Sequence, residues 1–411
     1  MPEFRAPPGT FDVLPPASAR YERLVALFAG AVELAGYGLV LSPMFEDIAV
    51  FSRVGESTDV VRKEMYDFED KGGRRIALRP EGTASVVRAF VQHRPTTPWK
   101  TWYVGPNFRY ERPQAGRFRQ HHQLGVEALG SEDPDLDVEV IVLQAGFYRT
   151  LGLARIRLQL NSLGDATCRP GYRALLMAFL EEHRDDLCAE HRDRYADNPL
   201  RVLDCKKPAC IAVTQSAPLQ VDHLCDPCQA HFARVRAGLD ALGVEYTLTP
   251  RLVRGLDYYT RTTFEFAAEA LESAQNAIGG GGRYDGLAES LGGPSTAGIG
   301  FGTGIERILL ACDAEGVLPP PDATVDVFVI DTSGGDAARD ITAQLRAAGV
   351  SADRSFDDRS WKAQMKAAQR SGARFAISID EGRIELRTLT EKGEPEALDR
   401  DSIVPHVKKR L

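Results

Sequence analysis

The chain has 411 residues, 43% apolar and 26% charged, which is typical of a globular protein with two or three domains. Its net charge of −8 excludes a protein that coats nucleic acid regardless of sequence, although a local basic patch for a specific RNA remains compatible with it. No run of about 18 apolar residues predicts a membrane span, and the first residues lack the apolar core of a secretory signal, so we expect a cytoplasmic protein.

The first part of the chain predicts helices around an antiparallel sheet. A helix is predicted over 18–36, with an apolar stripe at Leu24, Leu27, Phe28, Val32 and Ala35. Two β-rich segments around the loop RPQAGRF (112–118) predict a long hairpin, and a helix follows at about 135–151. Residues from about 163 to 240 are mostly helical and are interpreted as an insertion. This pattern predicts an α+β fold.

The pattern changes after a proline-rich stretch at 318–322, which is interpreted as a linker. Strands and helices then alternate, with strands predicted at 325–330, 375–379 and 384–389 and helices at 337–350 and 360–373. We therefore expect two domains, a larger one over 1–322 and a small α/β domain over 323–411.

The hairpin loop is rich in arginine. Arg109, Arg112, Arg117 and Arg119 lie within one short segment, and such a density of guanidinium groups favours an anionic ligand such as a nucleotide phosphate. The alternative is a solvated hairpin tip. On the second strand, Gln123, Gly125 and Glu127 share one face by the period of two, which predicts a polar pocket because buried polar groups need partners.

The segment IALRPEGTASVV (76–87) predicts a strand that runs into a helix. Glu81 and Thr83 lie at the junction. Thr83 is a candidate N-cap for a helix that begins at Ala84, an interpretation that leaves Glu81 without a role.

Three further segments carry candidate binding residues. LVRGLDYYT (252–260) combines Arg254 with Tyr258 and Tyr259, more functional groups than a plain strand or loop needs. Four consecutive glycines precede Tyr284, and they indicate either close backbone approach to a ligand or a flexible turn. GIGFGTGIERILL (298–310) predicts a glycine-rich strand and a helix with Arg307 near its start, either a phosphate ligand or a surface side chain.

Together these segments resemble the motifs of the class II aminoacyl-tRNA synthetases. The hairpin FRYERPQAGRFRQHHQLGVE is similar to motif 2, GIGFGTGIERILL to motif 3, and GYGLVLSPMFED (36–47) to motif 1 with Pro43. LVRGLDYYT and GGGGRYDGL resemble the two signatures of the histidyl-tRNA synthetase family. The resemblance covers nearly the whole chain, and it implies an antiparallel catalytic sheet flanked by helices, with a C-terminal anticodon-binding domain.

The resemblance also implies roles for individual residues. Arg254 and Arg109 would be catalytic, at the histidine carboxylate and the ATP α-phosphate. Histidine would be bound by both of these and by Glu81, Thr83, Gln123, Glu127, Tyr258, Tyr259 and Tyr284. ATP would be bound by Arg109, Glu111, Arg117 and Arg307. Mg²⁺ is expected with ATP, although no acidic pair stands out in the sequence as its ligand set.

The implied partner is tRNA(His). Arg112 and Gln114 in the motif 2 loop would face its acceptor end, and Gln114 is the candidate reader of the extra 5′ guanosine. In the C-terminal domain, Lys362, Lys366 and Arg370 follow at intervals of four, which predicts one basic helix face or simply a solvated one. A homodimer is implied by motif 1.

Six of the seven cysteines lie between Cys168 and Cys228, and only Cys312 lies elsewhere. In a cytosolic chain such clustering indicates a metal site or inert thiols rather than disulfides. His191, Cys205 and His231 are nearby candidates, and the ligand set selected for a structural zinc ion is Cys188, Cys210, Cys225 and Cys228.

Three other functions remain open at this point. One is the non-catalytic synthetase paralogue that regulates ATP phosphoribosyltransferase, against which the intact motifs and the C-terminal domain count. Another is an RNA-binding or sensor module on a synthetase-like body, which would not need Arg254. Within class II, specificity for another amino acid is less compatible with Glu127 beside Tyr258 and Tyr259.

Overall fold

The computed structural model describes residues 4–55, 60–272, 276–320, 325–357, 359–391 and 393–411. These residues divide into two compact units, one within 1–13 and 21–319 and the other within 14–20 and 320–411. The predicted boundary between 322 and 323 and part of the predicted linker lie outside the described residues. No helix in the described ranges is long and apolar enough to cross a bilayer.

The first unit is built on strands of very unequal length. They are β1 (Gly38–Leu39), β2 (Phe45–Asp47), β3 (Tyr66–Glu69), β4 (Arg75–Leu78), β5 (Trp99–Phe108), β6 (Gln120–Leu129), β7 (Ile156–Ser162), β8 (Thr247–Leu248), β9 (Thr260–Ala268), β10 (Ala277–Arg283) and β11 (Gly298–Gly304). Eight of them form one sheet in the order β1-β5-β6-β11-β10-β9-β7-β8. All neighbours are antiparallel except the two edge pairs, β1 with β5 and β7 with β8.

The helices of this unit are α1 (Ala17–Glu33), α2 (Ile48–Gly55), α3 (Thr83–His93), α4 (Pro134–Thr150), α5 (Arg169–Glu182), α6 (Ala189–Arg192), α7 (Leu200–Leu203), α8 (Pro208–Thr214), α9 (Asp226–Ala241), α10 (Leu287–Ser290) and α11 (Ile305–Glu315). Leu24, Phe28 and Val32 of α1 are fully buried in one core with Leu124 and Val126 of β6. The predicted stripe is therefore confirmed, although α1 ends before Ala35 as the chain enters a turn at Gly36, whose φ is +83°. The predicted α+β class is confirmed.

The segment between β7 and β9 is mostly helical and contains α5 to α9. It joins two strands that are antiparallel neighbours in the sheet, with Ser162 opposite Thr262. It also has a core of its own, in which Leu176, Leu180 and Val202 are fully buried. The pairing of β7 with β9 therefore does not depend on the helices of this segment, which is an insertion between the two strands.

The second unit contains β12 (Val327–Asp331), α12 (Asp336–Ala347), β13 (Ala352–Arg354), α13 (Trp361–Arg370), β14 (Phe375–Asp380), β15 (Arg383–Thr388), β16 (Glu396–Leu398) and α14 (Ile403–Arg410). Its sheet order is β13-β12-β14-β15-β16, with β12 parallel to β13 and β14. Gln364 and Ala368 of α13 are buried, whereas Lys362, Lys366 and Arg370 are exposed. The predicted basic stripe is thus present on the solvent side of this helix.

Candidate active site

The side chains of β6 alternate between two environments. Leu124, Val126 and Ala128 are fully buried in the main core. Because successive residues of a strand point to opposite faces, Gln123 and Glu127 lie on the other face of the sheet. There β6 is paired with β11, so that Glu127 lies opposite Gly300.

Glu127 is 0% exposed and is the centre of a buried cluster of polar side chains with Thr83, Tyr258, Tyr259 and Tyr284, the closed pocket. Its carboxyl group accepts a hydrogen bond from Thr83 Oγ1 at 2.7 Å and another from the Tyr284 hydroxyl. Burial raises the pKa of Glu127 to about 8, against the opposing effect of the two hydroxyl donors and with a further contribution from the Glu81 charge. At neutral pH the unliganded pocket therefore holds a largely protonated carboxyl group.

This raised pKa predicts a pH-dependent stability. The folded state binds the Glu127 proton more tightly than the unfolded chain, whose pKa is near 4.5, so the stabilisation is complete below about pH 4.5 and is lost as the pH rises through about 8. We expect E127Q, which does not titrate, to remove a slope of up to about 1.4 kcal/mol per pH unit in that window. Thermal denaturation of the ligand-free proteins from pH 5 to 9 measures the difference.

The control is E289Q, because Glu289 is exposed and its carboxylate is solvated in both states. A wild-type minus E127Q difference that stays constant with pH would contradict the assignment.

The junction between β4 and α3 corrects the predicted cap. Glu81, not Thr83, caps the helix, since its carboxylate accepts hydrogen bonds from the backbone N–H groups of Thr83 at 2.6 Å and Ala84 at 2.8 Å. The Thr83 hydroxyl is thereby left to donate to Glu127. The sequence interpretation failed because it placed the helix start one residue late, and α3 begins at Thr83.

Three tyrosine rings surround the same pocket. The ring centroids of Tyr258 and Tyr259 lie 4.7 Å apart, and those of Tyr258 and Tyr284 lie 5.8 Å apart. Arg254 lies beside them, 5.9 Å from the Tyr259 centroid, and its Nη1 forms an ion pair with Glu265 Oε2 at 2.6 Å. Its Nε is buried without a hydrogen-bond partner among the described residues, so this arginine retains an unused donor.

Next to this pocket is an open cavity of about 440 Å³ with four arginines in its lining: Arg109, Arg117, Arg254 and Arg307. Burial and the neighbouring Arg117 and Arg109 charges lower the pKa of Arg307. Burial, with Arg109 and Arg307 adding to it, also lowers the pKa of His121 in the same wall to about 3, so this imidazole is neutral. Mutual repulsion of this kind is relieved when a polyanion binds.

Like Arg254, two further arginines of the cavity are held in place. Arg307 donates from Nε to the Gly116 carbonyl at 3.0 Å and from Nη1 to the Ala277 carbonyl at 2.8 Å. It therefore ties the hairpin loop to β10, and the alternative of a surface arginine is wrong. Arg117 forms an ion pair with Glu111, which also lines the cavity.

The four hairpin arginines do not form one group. Arg109 and Arg117 line the cavity, whereas Arg112 is exposed and Arg119 lies 4.0 Å from the ring centroid of Tyr110. Gln114 is exposed at the tip and bridges to Arg117 through two backbone hydrogen bonds of 3.0 and 2.9 Å. Arg112 and Gln114 are thus available to a large partner.

The glycines of β11 are required by the side chains that cover them. A Cβ built on Gly300 would lie 1.9 Å from Glu127 Oε2, and one on Gly302 would lie 1.7 Å from Gln123 Nε2. The four consecutive glycines of the other motif form β10 and not a turn. Glycine therefore forms the floor of the site so that polar side chains can lie flat on the sheet.

Several site residues were not singled out from the sequence. Asn107 donates to Gln123 Oε1 at 2.6 Å, and Glu265 and Glu306 line the cavity. Asn107 is buried in β5 and Glu265 is half-buried in β9, and a polar residue within a largely apolar strand could have indicated each of them. No sequence signal pairs Glu306 with the backbone N–H of His122, 2.9 Å away and 184 positions apart.

The cysteine prediction is wrong in its ligand set. Cys188 and Cys210 belong to a group with His191 and Cys205, whereas Cys225 and Cys228 belong to another with Asp165 and Cys168. His231 lies in neither group, because its Nε2 contacts the buried Asp137 carboxylate at 2.7 Å. None of the seven cysteines forms a disulfide.

An arginine-rich cavity beside a closed polar pocket on an antiparallel sheet is the arrangement that the resemblance to the class II aminoacyl-tRNA synthetases led us to expect. Family models agree with this class, with "Histidyl-tRNA synthetase" matching residues 9–308 and "Anticodon binding domain" matching residues 324–410. The histidine–tRNA ligase of Rhodococcus erythropolis is 51% identical over 411 residues, which cover 98% of this chain and 96% of the relative. The chain belongs to the histidyl-tRNA synthetase family.

Solved structures agree with this assignment. The apo histidyl-tRNA synthetase of S. aureus aligns with a TM-score of 0.83 and 36% identity, over 98% of this chain and 100% of that chain. A structure described as an ATP phosphoribosyltransferase regulatory subunit/histidyl-tRNA synthetase, from Bacillus halodurans C, aligns with a TM-score of 0.63 over 86% of this chain and 92% of that chain. Its identity is 20%, so it shows a shared fold alone.

Proposed function

We propose that this chain attaches L-histidine to tRNA(His) in two steps, through a histidyl-adenylate made from ATP. The observation that carries the proposal is the position of Arg254. Its guanidinium group lies beside the Tyr259 ring of the closed pocket and also lines the arginine-rich cavity. A carboxylate bound at the mouth of the pocket would therefore meet a phosphate bound in the cavity at this residue.

The closed pocket suits histidine. An imidazole ring needs one donor and one acceptor, which the Glu127 carboxyl group and the Tyr259 phenol supply, with Tyr258 and Tyr284 packed around them. Glu81, Thr83 and Gln123 would bind the α-ammonium group, because each offers a side-chain oxygen. The side chain of an apolar amino acid would displace water from Glu127 and Tyr259 without offering either group a hydrogen bond, which is the basis for rejecting it.

In the first step, a carboxylate oxygen of histidine attacks the α-phosphorus of ATP, the new C–O–P linkage forms, and the bond to the β-phosphate breaks to release pyrophosphate. Both reacting groups are anionic, so fixed positive charge and alignment supply most of the catalysis. Arg254 and Arg109 would neutralise the carboxylate and the α-phosphate. Arginine remains protonated at neutral pH, and therefore it acts here by charge and not as a base.

The rest of ATP would be held by Arg117, with Glu111, and by Arg307. Mg²⁺ is expected to accompany the phosphates, and Glu265 and Glu306 are cavity carboxylates whose oxygens are of the kind that Mg²⁺ binds. The ion would supply charge neutralisation on the phosphates.

In the second step, the 3′-hydroxyl of the terminal ribose attacks the carbonyl carbon of the adenylate, and AMP leaves. The exposed Arg112 and Gln114 would contact the acceptor end, including the extra 5′ guanosine. The exposed basic stripe of Lys362, Lys366 and Arg370 would contact the anticodon end by local attraction, despite the negative net charge. The proposal includes a cytoplasmic homodimer, on the family resemblance alone.

The test is ATP–pyrophosphate exchange by the purified chain with each of the twenty amino acids in turn. We expect exchange that depends on histidine alone, followed by charging of tRNA(His) in the presence of all substrates. Exchange with a different amino acid would overturn the specificity. No exchange with any amino acid would favour the regulatory paralogue.

A further inference from the structure

The helical segment between β7 and β9 contains two compact groups of sulfur, nitrogen and oxygen atoms. The first cluster consists of Asp165, Cys168, Cys225 and Cys228, and the second cluster consists of Cys188, His191, Cys205 and Cys210. Within each cluster, one ligand atom from every residue lies within 4.8 Å of all the others. Each of the six cysteines of this segment belongs to one of the two clusters, whereas Cys312 of α11 belongs to neither.

The distances within the clusters match the edges of a tetrahedron around one ion. A Zn–S bond of about 2.3 Å and a Zn–N bond of about 2.0–2.1 Å give S···S edges of about 3.8 Å and S···N edges of about 3.6 Å. In the second cluster, His191 Nδ1 lies 3.4 Å from Cys188 Sγ and 3.6 Å from Cys210 Sγ.

The distances between ligand atoms in the first cluster are of similar size. Cys168 Sγ lies 4.0 Å from Cys228 Sγ, and Asp165 Oδ1 lies 3.6 Å from Cys168 Sγ and 3.8 Å from Cys225 Sγ. A disulfide would require the two sulfurs to be about 2.05 Å apart. Four donors at these separations leave room for an ion at the centre.

The spacing along the chain supports the same conclusion. Each cluster joins two short segments: Asp165 and Cys168 with Cys225 and Cys228, and Cys188 and His191 with Cys205 and Cys210. Three of the four pairs are separated by two residues and the pair Cys205 and Cys210 by four. Pairs with such spacings recur in structural zinc sites, because one turn can direct both side chains to the same ion.

Backbone N–H groups already point at two of the sulfurs. Asp165 N lies 3.3 Å from Cys168 Sγ, and Cys188 N lies 3.3 Å from Cys210 Sγ. Such donors orient metal-bound thiolates and stabilise their charge.

We propose that this chain binds two structural zinc ions, one held by three cysteines and Asp165 and the other by three cysteines and His191. Four protein ligands complete a tetrahedral shell and leave no open position for a substrate. None of the eight ligands lines the arginine-rich cavity. The ions are therefore structural.

The first ion would fasten the beginning and the end of the helical segment to each other, since Cys168 precedes α5 and Cys225 precedes α9. This ion would also lie close to the closed pocket. Arg261 Nη2 lies 3.5 Å from Asp165 Oδ2, and Arg169, next to Cys168, donates from Nη1 to the Tyr259 carbonyl at 2.9 Å. The second ion would join α6 to α8 in the interior of the segment.

The experiment is elemental analysis of the full chain, purified under reducing conditions from cells grown with added zinc. We expect about two zinc ions per chain in the wild type, about one in C205S, about one in C225S, and none in the double variant. Cys205 and Cys225 are chosen because neither is fully buried. C312A is the matched control and should retain both ions.

X-ray absorption at the zinc edge of the wild type gives a second readout that does not depend on any variant folding. We expect an average of three sulfur ligands and one nitrogen or oxygen ligand per ion. Fewer than one zinc per chain, disulfides in the intact protein, or an average shell dominated by nitrogen and oxygen would overturn the proposal. Loss of both ions in either single variant would overturn the assignment of two separate sites.

Discussion

Replacing Arg254 by alanine should reduce the rate of histidine-dependent ATP–pyrophosphate exchange at least ~100-fold, the loss typical when one fixed group that stabilises transition-state charge is removed. The Arg254 guanidinium group is the cation shared by the closed pocket and the cavity. Its loss leaves the attacking carboxylate and the α-phosphate to repel each other. Initial rates at saturating ATP and histidine measure the effect, and R254K separates charge from the fixed geometry of the guanidinium group.

The matched control for R254A is R157A. Arg157 also forms an ion pair of 2.6 Å with a glutamate, Glu269, but that pair is about half exposed and lies outside the arginine-rich cavity. R157A should exchange at close to the wild-type rate, since exposed ion pairs contribute little. An R254A rate within a few-fold of R157A would refute the role given to Arg254.

Gly300→Ala should raise the KM for histidine about 10- to 100-fold, because the added Cβ would lie 1.9 Å from Glu127 Oε2 and 2.4 Å from the Val126 carbonyl. Strands β6 and β11 and the Glu127 carboxyl group would have to move to make room for the added methyl group. We expect the displaced Glu127 to lose its hydrogen bonds from Thr83 and Tyr284, and overpacking to cost about 1–3 kcal/mol of stability. Exchange kinetics and thermal denaturation measure the two effects.

Gly30→Ala makes the same chemical change where there is space. Gly30 lies in α1, and its added Cβ would meet nothing within 4 Å. Alanine is preferred to glycine in a helix, so the stability of G30A should be equal to or slightly above that of the wild type. If G300A bound histidine as well as G30A does, the glycine floor would not be what positions Glu127.

Local periodicity was sufficient to predict which side chains share a face of a strand or helix. The period of two along β6 put Gln123 and Glu127 on one face, and the structure has them there. The stripe at Leu24, Phe28 and Val32 predicted the buried side of α1. Both patterns succeed because they depend only on the geometry of one element.

Features that depend on two elements were not predictable in the same way. The choice of cap at α3 depended on whether the Thr83 hydroxyl had another partner, and that partner, Glu127, lies 44 positions away. The cysteine groups were divided wrongly because spacing identifies pairs along the chain, whereas the packing of α5 to α9 decides which pairs meet. The four glycines of β10 were ambiguous until strands on both sides were known.

The position of the helical segment between two neighbouring strands has a consequence for the order in which the chain folds. During synthesis, β7 emerges long before its partner β9, and the whole segment leaves the ribosome in between. Pairing of distant strands is slow because the entropy of loop closure must be overcome first. Since α5, α7 and α8 share a core of their own, we expect this part of the segment to collapse before β9 appears and so to shorten the effective loop. The catalytic sheet would then form late, around a segment that has already folded.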